Sequence, residues 1–252
     1  MEKLTFKVFR GDSTKGELQE FQLEADEGMV VLDAIHKIQA TQAPDLACRW
    51  NCKAGRCGSC SAEVNGFPRL MCMTRIDELP KSRPITVEPI KAFPIIKDLV
   101  TDVSWNYEVN KSIPPFNPKP PEPDGTWRMQ QVDIDRVQEF RKCIECFLCQ
   151  DVCHVLRNHN KHSQFIGPRF LIRVAGLEMH PLDTLDRREL LKDKFGVGFC
   201  NITKCCTEVC PEKITITDNA IIPLKERVVD RYYDPLAWLI RKLKLIFKSS
   251  AK

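Results

Sequence analysis

Long hydrophobic runs are missing from this chain of 252 residues. No stretch approaches the roughly 18 consecutive apolar residues that a membrane-spanning helix needs, so no spanning helix is predicted. The first residues also lack the features of a targeting leader, since they alternate apolar and polar side chains like a first strand. These absences predict a cytoplasmic chain that does not cross a membrane by itself.

An excess of one charge sign is also missing. The sequence has 38 Lys and Arg against 34 Asp and Glu, which gives a net charge of +4. A balance this even, without a basic stripe interleaved with aromatic residues, argues against a nucleic-acid partner. The 43% apolar and 29% charged residues are typical of a globular protein of more than one domain.

Cysteine is absent from most of the chain and concentrated in two bands. Of the 13 cysteines, five lie between Cys48 and Cys72 and eight between Cys143 and Cys210. The total is odd, and a cytoplasmic compartment keeps thiols reduced, so a disulfide framework is a poor explanation. Ligation of metal is the better interpretation of such dense bands.

Proline separates the two bands. Residues 113–125 read "IPPFNPKPPEPDG" and contain six prolines. Proline fixes φ and removes a backbone donor, so this run is predicted to be a stiff connector that joins neither sheet nor helix. We therefore predict a first domain at residues 1–112, the connector at 113–125 and a second domain at 126–252.

The two domains differ in their periodicity. In the first, "LTFKVFR" and "GELQEFQLEA" alternate and predict a hairpin, and "DEGMVVLDAIHKIQATQ" has the spacing of a helix. An Asn65–Gly66 turn predicts a second hairpin, and "PITVEPI" predicts another strand. In the second, "QVDIDRVQEFRKC", "GPRFLIRVAGLEMH" and "DTLDRRELLKDKF" predict helices. The fold class is therefore α+β, with an α+β domain followed by an all-α domain.

The first cysteine band has the spacing C-x4-C-x2-C-x11-C of plant-type ferredoxins. The candidate [2Fe-2S] ligands are Cys52, Cys57, Cys60 and Cys72. Gly55 and Gly58 allow the backbone to wrap closely around a cluster. A zinc site is the alternative, although its loops usually pair two C-x2-C knuckles. Cys48 lies outside the frame and is expected to be a small buried residue.

The second band begins with "CIECFLCQDVC", the C-x2-C-x2-C-x3-C run of two-cluster bacterial ferredoxins. In such proteins the fourth cysteine ligates the other cluster, so a partner run is needed. It is found in "CNITKCCTEVCP", where Thr203 takes the second ligand position. The candidate [4Fe-4S] ligands are Cys143, Cys146, Cys149 and Cys210.

Only three thiols remain in register for the other cluster. These candidate ligands are Cys153, Cys200 and Cys206. Three thiolates beside the neutral Thr203 suit a [3Fe-4S] cluster of higher reduction potential, because less negative charge surrounds it. Cys205 is out of register and is expected to be a spare thiol, although it is a possible ligand of a fourth iron. Two unrelated zinc knuckles are the alternative for the whole band.

These motifs together resemble the iron–sulfur subunit of succinate dehydrogenase and fumarate reductase. The resemblance covers nearly the whole chain and rests on "RWNCKAGRCGSCSAEVNG", "CIECFLCQDVC", "FIGPRFLIR" and "CCTEVCPEKI". "RWNCKAGRCGSC" with "CNITKCCTEVCPE" looks most similar to the actinobacterial branch. The resemblance implies a β-grasp fold for the first domain and a helical bi-cluster ferredoxin fold for the second.

The resemblance also implies a function and partners. Electrons would pass from the FAD of a flavoprotein subunit through [2Fe-2S], [4Fe-4S] and [3Fe-4S] clusters to a quinone, expected to be menaquinone, at a transmembrane anchor. The chain has no G-x-G-x-x-G or P-loop motif, so FAD would be held elsewhere. No nucleophile–base pair stands out either, so this chain would carry electrons in a succinate:quinone oxidoreductase without transforming succinate.

The quinone side departs from the family pattern. Many members have a proline directly after the cysteine at the position of Cys153 and a tryptophan shortly afterwards, whereas this chain has "CHVLRNHNKH". His154 stands in place of that proline and is a candidate hydrogen-bond or proton donor to quinone. Thr203 is a second candidate residue on the quinone side. An ordinary polar loop histidine is the simpler alternative, and His159 and His162 are expected to be solvated.

The chain ends in "DPLAWLIRKLKLIFKSSAK", which is basic and carries interspersed apolar residues. A basic amphipathic helix with Trp238 suits the cytoplasmic face of a bacterial plasma membrane or an anchor subunit. A terminal helix that packs on the protein core is the alternative.

Other functions also stay open. The same subunit plan would serve a quinol:fumarate reductase, in which electrons run in the opposite direction, from quinol to fumarate. From different classes, a soluble ferredoxin-like carrier and a zinc-stabilised interaction module remain.

Overall fold

The computed structural model of the protein describes residues 2–80, 82–235 and 240. Backbone contacts divide the chain into two compact units, each built from separated stretches of sequence. Unit 1 comprises Met1–Ser112, Lys142–Asn160 and Cys205–Ile214. Unit 2 comprises Ile113–Arg141, Lys161–Lys204 and Thr215–Lys252. These units follow packing and differ from the domain borders predicted from the sequence, which stay a prediction.

Unit 1 begins with the predicted hairpin. Strands β1 (Glu2–Gly11) and β2 (Gly16–Ala25) pair antiparallel along their whole length. Alternation along β1 turns Leu4, Phe6 and Val8 into the core, where they are nearly inaccessible to solvent. The predicted helix follows as α1 (Val31–Thr41), which buries Leu32, Ile35 and Ile38 along one face.

The second predicted hairpin and the last predicted strand complete a five-stranded sheet. Its remaining strands are β3 (Ser61–Val64), β4 (Phe67–Leu70) and β5 (Ile85–Glu88). Asn65 and Gly66 both have positive φ, 53° and 76°, as a tight two-residue turn requires. The strand order is β2-β1-β5-β3-β4, with β5 parallel to β1. This mixed sheet with one helix agrees with the β-grasp fold implied by the resemblance.

Three short elements of unit 1 were not predicted from the sequence. Strands β6 (Ile95–Lys97) and β7 (Val100–Thr101) form a separate ribbon, and helix α2 (Ser104–Ser112) follows. The turn between the strands contains Asp98, whose buried carboxylate accepts the backbone N–H groups of Gly11 at 2.9 Å and Ala47 at 2.8 Å. Elements this short carry too few residues for a periodic pattern.

The predicted all-α character of the later chain is confirmed. After Thr101 the described residues contain helices and one isolated β-bridge, between Pro118 and Asp183. The α-helices are α3 (Gln131–Gln138), α4 (Leu148–Asp151), α5 (His154–Arg157), α6 (Pro168–Glu178), α7 (Arg188–Asp193), α8 (Cys205–Glu208) and α9 (Ile222–Tyr232). A six-residue π-helix, Ile216–Ile221, leads into α9 and contacts α6.

The proline-rich run, residues 113–125, contains neither helix nor strand and makes one isolated β-bridge, at Pro118. Its hydrogen bonds use the neighbours of the proline: Lys119 donates its N–H to Leu182 at 2.8 Å, and Asn117 accepts from Thr184 at 3.0 Å. The missing N–H of Pro118 is therefore not needed.

Arg187 holds the start of the same run. Its guanidinium is buried and donates to the carbonyl oxygens of Pro114 at 3.2 Å and Pro115 at 2.7 Å. It also pairs with the buried carboxylate of Asp183 at 2.9 Å. Proline keeps its carbonyl acceptor, so a buried arginine can fix a segment that has few donors of its own.

None of the helices in the described part of the chain combines the length and apolar character needed to cross a bilayer. The predicted basic amphipathic tail, including Trp238 and Leu243, lies outside the described residues except for Asp234, Pro235 and Ile240.

Candidate iron–sulfur cluster sites

The loop between α1 and β3 carries the first three candidate ligands. Gly55 and Gly58 both have positive φ, 66° and 67°, which glycine adopts without strain. The loop therefore curls tightly enough for backbone N–H groups to point at sulfur: Cys52 Sγ accepts from Ala54 at 3.4 Å and from Arg56 at 3.3 Å. Such N–H···S contacts stabilise a thiolate and help to set a cluster's reduction potential.

The other three thiols of this set complete the site. Burial raises the pKa of Cys57, but hydrogen bonds from Cys52 and Ser59 outweigh it and lower this pKa to about 6. The β3–β4 hairpin folds Cys72 back to Cys60, and the two side chains are within hydrogen-bonding range. Burial raises the pKa of the Cys60 thiol to about 12. The structure thus places Cys57 beside Cys52 and Cys72 beside Cys60.

The four candidate [4Fe-4S] ligands lie close together in unit 1. Burial raises the pKa of Cys146 to about 12, and the charges of Cys143 and Cys210 raise it further. Cys149 is buried, so burial raises its thiol pKa well above the usual range, with added repulsion from the other three candidate ligands and from Cys206. Cys210, more than 60 positions along the chain, is therefore brought to the run that starts at Cys143.

Backbone conformation explains how the run wraps. Glu145 and Phe147 both have left-handed φ angles, 57° and 62°, although neither is glycine. Such residues are held in place only where the surroundings determine them, and they cluster at ligand sites. Left-handed residues at alternate positions of a run can turn successive backbone N–H groups to the same side, an arrangement that suits an anionic cluster.

The third candidate set is divided between the units. Cys153 and Cys206 lie in unit 1, and the charge of Cys206 acts on the Cys149 thiol. Cys200 and Thr203 lie in unit 2. In that unit the Cys200 carbonyl accepts from Lys225 Nζ at 2.6 Å. Ile202 and Lys204, on either side of Thr203, both have a φ of 64°, so Thr203 lies in a tightly curled loop.

The remaining candidates have ordinary surroundings. His154 begins α5 and its ring lies 6.2 Å from that of His159. Cys205 Sγ donates to the Val152 carbonyl at 3.4 Å. Cys48 is partly buried, and burial raises the pKa of its thiol to about 12.

The donor set fits iron–sulfur clusters. Burial, and after it the charges of neighbouring cysteines, raises the pKa values of several of these thiols. Ferric and ferrous iron would offset both effects, because a bound cation favours the thiolate form. Across the described residues, no three His, Cys, Asp or Glu side chains surround one point as a single ion requires. In a [2Fe-2S] cluster, by comparison, each iron takes two protein thiolates.

Sequence reasoning missed two residues next to these sites. Ser61 and Glu63 lie in β3, directly after Cys60, and both reach the segment that carries the second cysteine band. Glu63 is fully buried. A glutamate inside a short strand of otherwise small and apolar residues is the signal that would have found it.

A plant-type ferredoxin fold, joined to a helical region with cysteines in bi-cluster register, defines the class as multi-cluster iron–sulfur electron-transfer proteins. Comparison with known families agrees. The family described as 2Fe-2S iron-sulfur cluster binding domain matches residues 5–108. The family described as 4Fe-4S dicluster domain matches residues 139–214.

Individual relatives narrow the class. The fumarate reductase iron-sulfur subunit of Mycobacterium tuberculosis is 31% identical over 78% of this chain and 80% of its own. A chain of the Mycobacterium smegmatis Sdh1 complex, solved in the apo form, is 62% identical, with a TM-score of 0.89 over 92% of this chain and 98% of that one. This chain spans only 42% of an uncharacterized iron-sulfur protein of Methanococcus maripaludis, to which it is 31% identical.

The chain belongs to the family of iron–sulfur subunits of succinate dehydrogenase and fumarate reductase. It is an electron-transfer subunit with a [2Fe-2S] domain and a two-cluster domain, and a [3Fe-4S] cluster is typical of the family. Membership implies a flavoprotein and a membrane anchor as partners. The predictions of fold, function and cofactors are thereby confirmed.

Proposed function

We propose that this chain carries electrons from a flavoprotein to a quinone in a succinate dehydrogenase. When bound, the three clusters supply one-electron redox sites between the FAD of the flavoprotein and the quinone at the anchor. The observation that carries the proposal is the convergence of Cys143, Cys146, Cys149 and Cys210 in one compact unit. These thiols come from two distant segments, as the crossover of a bi-cluster ferredoxin demands.

The protein's own residues have distinct tasks in this assignment. Cys52, Cys57, Cys60 and Cys72 hold the [2Fe-2S] cluster, and the N–H groups of Ala54 and Arg56 stabilise its charge at Cys52. Cys143, Cys146, Cys149 and Cys210 hold the [4Fe-4S] cluster, and Cys146 and Cys149 among them are buried. The [3Fe-4S] ligands are Cys153, Cys200 and Cys206.

Thr203 leaves the third set one thiolate short. A neutral hydroxyl does not replace a thiolate, so less negative charge surrounds this cluster and its reduction potential is raised. Cys205 Sγ lies 3.4 Å from the Val152 carbonyl oxygen, and Cys205 falls out of register with the ligand frame, so its proposed role is that of a spare thiol.

The direction of electron flow is proposed from the comparisons. The chain of the Sdh1 complex is 62% identical, whereas the fumarate reductase subunit of M. tuberculosis is 31% identical. Succinate oxidation is therefore the leading direction, and fumarate reduction is the second candidate. Comparing the rates of succinate oxidation and fumarate reduction by the purified complex, each with its quinone or quinol, distinguishes the two.

The quinone side and the location complete the proposal. Menaquinone is the proposed acceptor, with His154 and Thr203 on its side of the subunit. The basic C-terminal segment favours attachment at the cytoplasmic face of a bacterial plasma membrane. Trp238→Asp with Leu243→Asp is expected to release the subunit from membranes, and unchanged retention would count against this attachment.

Metal analysis of the anaerobically purified complex tests the cluster assignment. We expect about nine irons for this chain and a [3Fe-4S] signal in the EPR spectrum of the oxidised sample. About ten irons without that signal would show that Cys205 or another group completes the third cluster. Zinc in place of iron would overturn the assignment altogether.

A further inference from the structure

One strand of unit 1 contacts both proposed cluster-binding segments. β3 starts directly after Cys60, and its first side chain, Ser61, reaches across to the second cysteine band. The Ser61 hydroxyl lies 2.9 Å from the carbonyl oxygen of Gly58 and 2.8 Å from that of Cys146. A hydroxyl has a single proton, which is here shared between the two carbonyls. One side chain thus links the loop of the first site to the run of the second.

The backbones of the two segments also touch at this place. A methyl group on Gly58 would lie 2.5 Å from Cys146 Cα, so only glycine fits there. A cavity of about 60 Å³ beside the contact is lined by residues of both segments, among them Cys57, Glu145 and Phe147. The [2Fe-2S] loop and the [4Fe-4S] run are therefore immediate neighbours.

Two positions further along β3, Glu63 makes a second connection. Its carboxylate is fully buried and pairs with Arg157 Nη1 at 2.6 Å and with Lys91 Nζ at 2.9 Å. Its oxygens are held by charge contacts and accept no aligned hydrogen bond. Arg157 ends α5, the helix that follows Cys153, so the ion pair fixes this helix to the strand. A buried carboxylate that loses its cations is strongly destabilised.

A second buried carboxylate ties the cysteine run to the same place. Asp151 lies between Cys149 and Cys153 and accepts the backbone N–H groups of Lys91 at 2.7 Å and Ala92 at 3.1 Å. Lys91 therefore contacts both carboxylates, one through its side chain and one through its backbone. Burial, together with the nearby Glu63 charge, raises the pKa of Asp151 to about 7, so the cations Lys91 and Arg157 serve mainly the Glu63 carboxylate.

We propose that Ser61 and Glu63 are positioning residues that set the [4Fe-4S] site against the [2Fe-2S] site for electron transfer between them. The inference rests on the proposed function, because it takes the cysteines beside these residues as cluster ligands. Both residues act through the peptide segments that carry the ligands. Partners of this kind orient metal ligands, and their loss commonly reduces activity by about 10- to 100-fold.

The test uses the whole complex with Ser61→Ala and, separately, Glu63→Gln. Two readouts are compared: the magnetic interaction between the reduced [2Fe-2S] and [4Fe-4S] clusters in EPR spectra, and the rate of quinone reduction by succinate. We expect an altered interaction in both variants and a rate lowered roughly tenfold. Ser61→Thr keeps the hydroxyl and is expected to restore both readouts.

Two matched variants serve as controls. Ser112→Ala also removes a hydroxyl, one that donates to the Val109 carbonyl at 2.8 Å and is remote in sequence from the cysteines. Glu108→Gln likewise changes a carboxylate to an amide, at an exposed position in α2 where it pairs with Lys111 at 2.8 Å. Both controls are expected to leave the cluster interaction and the rate unchanged.

The outcomes separate the inference from the function on which it rests. If Ser61→Ala and Glu63→Gln both leave the interaction unchanged and the rate within about twofold, the positioning role is wrong. Equal loss of iron from all clusters in the variants would also overturn it, because the residues would then serve stability alone. If the unmodified complex lacks a [2Fe-2S] or [4Fe-4S] signal, the proposed function itself fails.

Discussion

The two compact units differ in what fills their interiors. Unit 1 contains twelve of the thirteen cysteines, several of them buried thiols with raised pKa values. Unit 2 contains only Cys200. Its interior is built from apolar side chains and one buried ion pair, between Arg187 and Asp183, in which both partners are 1% exposed.

This difference shows which unit needs metal to be complete. Crowded thiolates repel one another unless iron compensates their charge, so we expect cluster binding and folding to be coupled in unit 1. In unit 2 the buried charges of Arg187 and Asp183 compensate each other without a metal. We expect the stability of unit 1 to follow the clusters and that of unit 2 to follow its own packing.

The largest expected effect comes from Cys149→Ser. This thiol is buried, and serine would replace a soft thiolate with a poor iron ligand. We expect loss of the [4Fe-4S] cluster and at least about a hundredfold drop in quinone reduction, the upper range for a disturbed metal site. Hydrogen exchange should show lost protection in Leu148–Asp151, while α6 of unit 2 stays protected.

Cys48→Ser is the control for this variant, because it changes a partly buried thiol outside the ligand frame. It should keep all clusters. Equal loss of protection in α6 on Cys149→Ser would contradict the separate dependence of the two units.

The next effect concerns unit 2. Arg187→Met would leave the Asp183 carboxylate buried without its cation and the carbonyls of Pro114 and Pro115 without a donor. Breaking a buried pair in this way costs about 3–5 kcal/mol of unfolding free energy. Chemical denaturation of the complex measures it. Arg128→Met breaks an exposed ion pair with Asp124 and should change the unfolding free energy little. A similar loss of unfolding free energy in both variants would show that burial of the Arg187–Asp183 pair does not matter.

A smaller effect is expected from Gly58→Ala in unit 1. The residue has a φ of 67°, and a methyl group would meet the backbone of Cys146. The left-handed conformation alone costs about 1–3 kcal/mol for a side chain, and the contact adds to it. Gly66→Ala has a similar φ of 76° with open space around it, so it isolates the conformational cost. Equal melting temperatures for the two variants would show that the contact with Cys146 is unimportant.

The smallest expected change is the gain of one iron at the third cluster site. Thr203→Cys would give the third site a fourth thiolate, and we expect iron to rise from about nine to about ten per chain. The [3Fe-4S] signal should disappear from the oxidised EPR spectrum, and the reduction potential of this cluster should fall because negative charge is added. Thr203→Ser, which adds no thiolate, should keep the signal. Persistence of the signal in Thr203→Cys would mean that this position does not face the cluster.

Local patterns predicted the main elements of the fold. The hairpin of β1 and β2, helix α1 and the Asn65–Gly66 turn were all predicted, because each depends on side-chain alternation or turn chemistry within a few residues. The ribbon of β6 and β7 was not, since its turn depends on Asp98 accepting N–H groups from Gly11 and Ala47. Those partners lie 87 and 51 positions away.

The sequence by itself determined the cluster chemistry, because ligand type and spacing are properties of the chain. C-x4-C-x2-C, the crossover run and the substitution at Thr203 are all visible without coordinates. Only the tertiary structure decided that the cysteine segments around Cys146 and Cys210 pack in the same unit as the first band. It also decided that Ser61 and Glu63 connect the two bands, because hydrogen bonds and buried ion pairs between distant segments leave no periodic trace in a sequence.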